Sequence, residues 1–188
     1  MSAQTRYGHS TPVGAAGGIV DLAAHVIDTF LNEEKAGVMK FGLGVVQGSK
    51  PGVNIALPTD DATAAVFEGI TTNNRTTEYD LEGKLSVRQG AAVGVMRYGK
   101  IYGRVAEGVE PEYGDSVYLI IEGDEAGCFT NEAPAAKPSG QSEGGSQDAS
   151  GTTTETAPAV VAIKARFLSG VDTNAQIAVI ELFNQAQA

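Results

Sequence analysis

The chain has no tryptophan, one cysteine, two histidines and three methionines in 188 residues. A lone Cys128 rules out an internal disulfide and a thiolate zinc site, since each needs more than one sulfur. Aromatic residues make up only 6% of the chain, which argues against a stacking platform for nucleobases or sugars. Thirteen basic residues face 23 acidic ones, a net charge of −10. With an isoelectric point near 4.6, DNA, RNA and anionic membranes are repelled rather than bound. No apolar run approaches the ~18 residues of a spanning helix. Residues Met1–Gly18 lack the basic head and apolar block of a secretory leader, so cytosolic synthesis is expected.

What is present is a hydrophobic fraction of 42% and 24 glycines. That is enough to bury one core and to supply many turns. Between Tyr79 and Ile121, short apolar segments alternate with polar residues and are cut by Gly, Asp or Pro every eight to twelve residues or so. This spacing is that of a compact antiparallel barrel or sandwich. Expected strands are Val38–Gln47, Val53–Leu57, Val66–Thr71, Lys84–Arg88, Ala92–Tyr98, Ile101–Ala106, Val117–Glu122, Val160–Leu168 and Gln176–Phe183. In Val160–Leu168, residues Val161, Ile163, Ala165 and Phe167 share one face and Lys164 and Arg166 the other. Gly99 suits a tight hairpin, and Gly114-Asp115 a turn leading into a strand. The segment Ile19–Leu31 reads two ways. Ile19, Leu22, Ala23, Val26 and Phe30 recur at helical spacing, yet its β-branched and aromatic residues suit a strand.

Two stretches stand outside this pattern. Met1–Gly18 is small, polar and glycine-rich, and reads as an extended arm. Asn131–Pro158 holds no Val, Ile, Leu, Met, Phe or Tyr over 28 residues. It cannot bury enough apolar surface to offset the entropy of ordering, and reads as an exposed flexible loop. Residues 159–188 are too few for a second core, so 19–188 is expected to be one β domain with this insertion.

Catalytic constellations are missing. His9 and His25 have no Cys, Ser or acid at triad or metal spacing. Asp60-Asp61 and Glu122-Gly123-Asp124-Glu125 match no calcium loop. Gly42, Gly44 and Gly48 have the wrong last interval for a dinucleotide fingerprint, with no Lys-Ser or Lys-Thr after them. Such glycines more often mark bulges or close packing. Asn74-Arg75-Thr76 is a glycosylation sequon by pattern only. Cys128 reads as a small core or edge residue. No catalytic, cofactor-binding or metal-binding residue is expected.

The order of short motifs resembles a known family. Phe41-Gly42-Leu43-Gly44-Val45-Val46 is followed by Phe67-Glu68-Gly69-Ile70 and Tyr113-Gly114-Asp115-Ser116-Val117-Tyr118. The chain closes on Ala165-Arg166-Phe167-Leu168-Ser169-Gly170 and Ile177-Ala178-Val179-Ile180-Glu181-Leu182. From about residue 19 onwards this is similar to the capsid cement, or decoration, proteins of tailed bacteriophages. The Asn131–Pro158 insertion departs from that pattern. The resemblance implies an all-β, jelly-roll-like body with Ile19–Leu31 largely extended. It also implies a virion structural protein on the outer surface of the icosahedral head, made in the bacterial host cytoplasm. The implied partners are the major capsid protein and further copies of itself, a dimer ahead of a trimer. A carbohydrate- or receptor-binding β-module is the competing reading, and an enzyme with unrecognised chemistry a distant third.

Overall fold

Strands form where β-branched and apolar residues recur with period two, and glycines at positive φ divide them. The structure, a computed structural model, describes residues 14–73, 78–79, 85–134 and 159–183. Its strands are β1 (Val26–Asn32), β2 (Gly44–Gln47), β3 (Asn54–Ala56), β4 (Phe67–Thr71), β5 (Glu78–Tyr79) and β6 (Leu85–Ser86). They continue with β7 (Ala92–Arg104), β8 (Ser116–Ile120), β9 (Phe129–Thr130), β10 (Val160–Phe167) and β11 (Ile177–Leu182). One 3₁₀ turn, Ala64–Val66, is the only helical element among the described residues. The expected compact all-β body is what the chain forms.

Nine strands make one sheet in the order β1-β3-β2-β4-β7-β11-β10-β8-β9, and β1 also pairs with β7. That extra pairing closes β1, β3, β2, β4 and β7 into a ring. The contact of β1 with β3 is parallel and the others are antiparallel. A second ring runs β7-β11-β10-β8-β9. It closes where Phe129 bridges Val105, the residue after β7, and the Ala106 amide donates to the Phe129 carbonyl at 3.0 Å. Two small barrels thus share one 13-residue strand. Closure removes sheet edges that would otherwise template aggregation.

Each ring has its own core. Phe30, Val45, Ile55, Val93 and Val95 fill the first. Ile101, Leu119, Phe129, Phe167, Ile180 and Leu182 lead the second, all at 1% exposure or less. Gly44 and Gly103 make room for the Phe129 ring. A methyl at Gly44 would lie 3.0 Å from its Cζ, and one at Gly103 3.1 Å from its Cδ2.

The shared strand corrects one expectation. Ala92–Tyr98 and Ile101–Ala106 are not the arms of a hairpin at Gly99, because β7 runs straight through that position. Gly99 has φ 123, and a methyl there would lie 2.7 Å from His25 Cβ. The glycine therefore admits a neighbouring backbone rather than turning the chain. Just before it, the β1–β7 register shifts, leaving Arg97 as an extra residue on β7. A second correction shortens Val38–Gln47 to Gly44–Gln47, since Gly37 (φ 83) and Gly42 (φ 78) hold the preceding stretch in turns. Ile19–Leu31 is not helical: the chain bends at residues 22–24, and β1 starts at Val26.

Of the expected arm, residues 1–13 lie outside the described residues. Its last residues lie along β7. The Gly17 amide donates to the Tyr102 carbonyl at 2.7 Å, the Tyr102 amide to the Gly18 carbonyl at 3.0 Å, and the Val20 amide to the Lys100 carbonyl at 3.1 Å. Residues 17–20 thus cover the edge of β7 opposite β11. Of Asn131–Pro158, residues 135–158 also lie outside the described residues. Its two ends are tied: Asn131 Nδ2 donates to Asp115 at 2.9 Å, and the Ala159 amide to Glu122 at 3.1 Å.

Candidate interaction surface

Wherever one face of a strand is packed inward, the alternate residues must face outward, and three neighbouring strands expose theirs side by side. On β7 these are Tyr98 and Lys100, on β11 Glu181, and on β10 Lys164 and Arg166. The register sets them in rows. Val26 stands opposite Tyr98. Leu182 pairs with Gly99, so Phe183, the next residue, stands opposite Tyr98 from the other side. The result is an apolar row, Val26–Tyr98–Phe183, with exposures of 49%, 41% and 40%. Leu22, 98% exposed, lies just before it in the chain. Scattered exposed apolar residues need no explanation; these three stand adjacent on one sheet face, which makes it the candidate contact surface.

One step along the strands runs a charged row. Asp21 meets Lys100 at 3.0 Å, Lys100 pairs in register with Glu181, and Arg166 Nε meets Glu181 at 2.7 Å. Across the strands the signs alternate, minus, plus, minus, plus. The hydrogen bond from the Lys100 ammonium holds the Asp21 carboxyl below its usual pKa, and that carboxylate raises Lys100 in turn. The Arg166 guanidinium also lies 5.6 Å from the centre of the Phe183 ring, joining the two rows. Exposed pairs of this kind add little to folding.

A cleft of about 690 Å³ opens elsewhere, between residues 37–43, 104–107 and 123–128. Lys40, Arg104, Glu107, Asp124, Glu125 and Cys128 line it. Among the described residues that line it, none is aromatic. Burial, then the nearby Glu125 carboxylate, pushes the Cys128 thiol up to about 11. Burial thus favours the protonated thiol at neutral pH.

Several other residues singled out in the sequence have structural partners. His25 Nδ1 contacts the Ala23 carbonyl at 2.9 Å, and His9 lies outside the described residues. Asp61 accepts from the Thr59 hydroxyl. Glu125 accepts from the Glu107 amide at 2.8 Å, and Glu122 from Ala159. Glu125 and Glu122 thus cap loop amides. Among the described residues, no three His, Cys, Asp or Glu side chains gather as metal ligands, and no helix is long and apolar enough to cross a membrane. Asn74-Arg75-Thr76 lies outside the described residues. Gly42 is closely packed, with Gly17 backbone nitrogen 2.9 Å from where a methyl would sit, as is Gly48 against Glu33.

Sequence reasoning missed the ion cluster at the two bulges. Arg97, extra on β7, reaches Asp28 on β1 at 3.4 Å and Glu68 on β4 at 3.2 Å. Glu68 lies at the register shift between β2 and β4, and its side chain is 6% exposed. Its Oε2 atom touches Arg97 as an ion pair without hydrogen-bond angles. Bulges depend on pairing partners far along the chain, and no local signal announces them.

The fold is that of an all-β module with a broad outward sheet face. Residues 3–183 match the family model described as structural cement protein (E217 gp24/Pam3 gp6). The chain belongs to this family of phage capsid cement proteins. A solved chain from "The capsid of Myoviridae Phage XM1" shares the fold at 17% identity and a TM-score of 0.64, covering 97% of this chain and 98% of that one. No curated protein matches the sequence.

Proposed function

We propose that the protein binds the outer surface of the assembled phage head, where neighbouring subunits of the major capsid protein meet, and holds them together without catalysis. The match to cement proteins over residues 3–183 carries this reading. A ligand that binds the closed shell but not its loose subunits stabilises the shell by mass action, about 2.7 kcal/mol per site at a hundredfold excess over Kd. Association of several copies adds avidity without new contacts. The protein acts as a homo-oligomer, a dimer ahead of a trimer, and residues 1–13 add a contact with a neighbour on the shell. Residues 131–158 form a solvent-facing insertion that folding does not need.

Cryo-electron microscopy of undecorated heads incubated with the pure protein tests this. Density should cover the outer surface at the junctions between capsomers. Heads that stay bare, or density confined to the inner surface, would overturn it.

A further inference from the structure

Resting on the homo-oligomer reading above, we infer that the outward face of β7, β10 and β11 is where a second copy docks, sheet face to sheet face, about a two-fold axis parallel to the strands and lying between β7 and β11. The charged row carries the inference. Across the strands it reads Asp21, Lys100, Glu181, Arg166, alternating in sign, and is held in line by contacts of 3.0 and 2.7 Å. A two-fold axis parallel to the strands reverses the order of the row in the facing copy. Asp21 then faces Arg166 of the second copy, Lys100 faces its Glu181, and the same two pairings repeat beyond the axis. Every charge meets its opposite, whereas a row of one sign would repel its own copy.

The same operation, with its axis between β7 and β11, sets Tyr98 against Phe183 of the facing copy and Phe183 against its Tyr98, one aromatic pair on each side of the axis. An apolar centre with a balanced polar flank is the composition of a specific interface. Net charge supports the choice of face. Two copies of a chain at −10 repel in general. This row carries two positive and two negative charges, so close approach here adds no net charge to the contact.

Charge swapping tests this, with sedimentation equilibrium as the readout. Lys100→Glu alone sets a carboxylate against the facing Glu181 carboxylate twice, and Glu181→Lys alone sets an ammonium against the facing Lys100 ammonium twice. Each should weaken self-association about tenfold or more, because a change in an isologous contact acts twice. In an equimolar mixture, the mixed dimer of the two variants restores opposite charges at all four positions and should associate as well as the wild type. Unchanged circular dichroism spectra would show that both variants fold. Tyr98→Glu should leave a monomer. A wild-type protein that is monomeric at every soluble concentration, variants that associate normally, or a mixture no tighter than either variant would each overturn the inference. Cosedimentation with undecorated heads separates it from the proposed function. Wild-type protein that attaches as a monomer would leave the cement reading standing and refute this interface alone.

Discussion

Phe129 closes the second barrel, and replacing it with alanine should show how much the closure depends on one side chain. The residue is fully buried on a two-residue strand, and its ring fills the space left by two glycines. Truncation loses the transfer free energy of the ring and leaves a cavity, together about 3–5 kcal/mol. A domain is stable by about 5–15 kcal/mol, so this is a large fraction. At about 2–4 °C per kcal/mol, the melting temperature should fall by about 6–20 °C. The glycines supply an internal control. Gly44→Ala in the wild type drives a methyl to 3.0 Å from the Phe129 ring and hard against Leu119 Cδ1, and overpacking of this kind costs about 1–3 kcal/mol. In the Phe129→Ala background the ring is gone and Leu119 can swing into the vacated space. The same substitution should then cost less or even stabilise. Urea denaturation of the four proteins gives the coupling. A Phe129→Ala cost under about 1 kcal/mol, or additive costs for the pair, would refute the reasoning.

Arg97→Ala should destabilise by about 3 kcal/mol, the low end for stripping a buried charge, because Glu68 loses its cation; Glu68→Gln in that background should recover part of the loss in urea melts. Asp115 accepts hydrogen bonds first from the Glu112 amide and then from Asn131, and both hold its pKa below the usual value. A depressed pKa gives stability that is present above the unfolded value and lost as pH falls through the folded one, so Asp115→Asn should flatten the acid limb of the stability–pH curve below about pH 4. Replacing residues 135–158 with a short Gly-Ser turn should leave the melting temperature nearly unchanged, since each doubling of loop length costs only about 0.6 kcal/mol; a large drop would show that the insertion is packed.

The strands with clean alternation were legible from sequence because their pattern is local. In Val160–Phe167 the inward Ala165 and Phe167 and the outward Lys164 and Arg166 lie as the period of two requires. The body's all-β character follows from many such segments. What the sequence hid depends on distant partners. Gly99 followed by Lys100 looks locally like a hairpin turn, and only His25, brought alongside from before β1, shows why a glycine stands there. Phe129–Thr130 is too short to carry a period, yet it closes a ring. The interaction surface was half legible. Lys164 and Arg166 were placed outward, but the row they join needs the β7–β11 register, which no single segment encodes.

The thermal disruption of undecorated heads, followed by DNA release as purified protein is added, tests the central claim most directly. Cementing predicts that the release temperature rises with protein concentration and saturates when the outer sites are full. Protein that binds the heads to saturation while the release temperature stays where it was would contradict a cementing role.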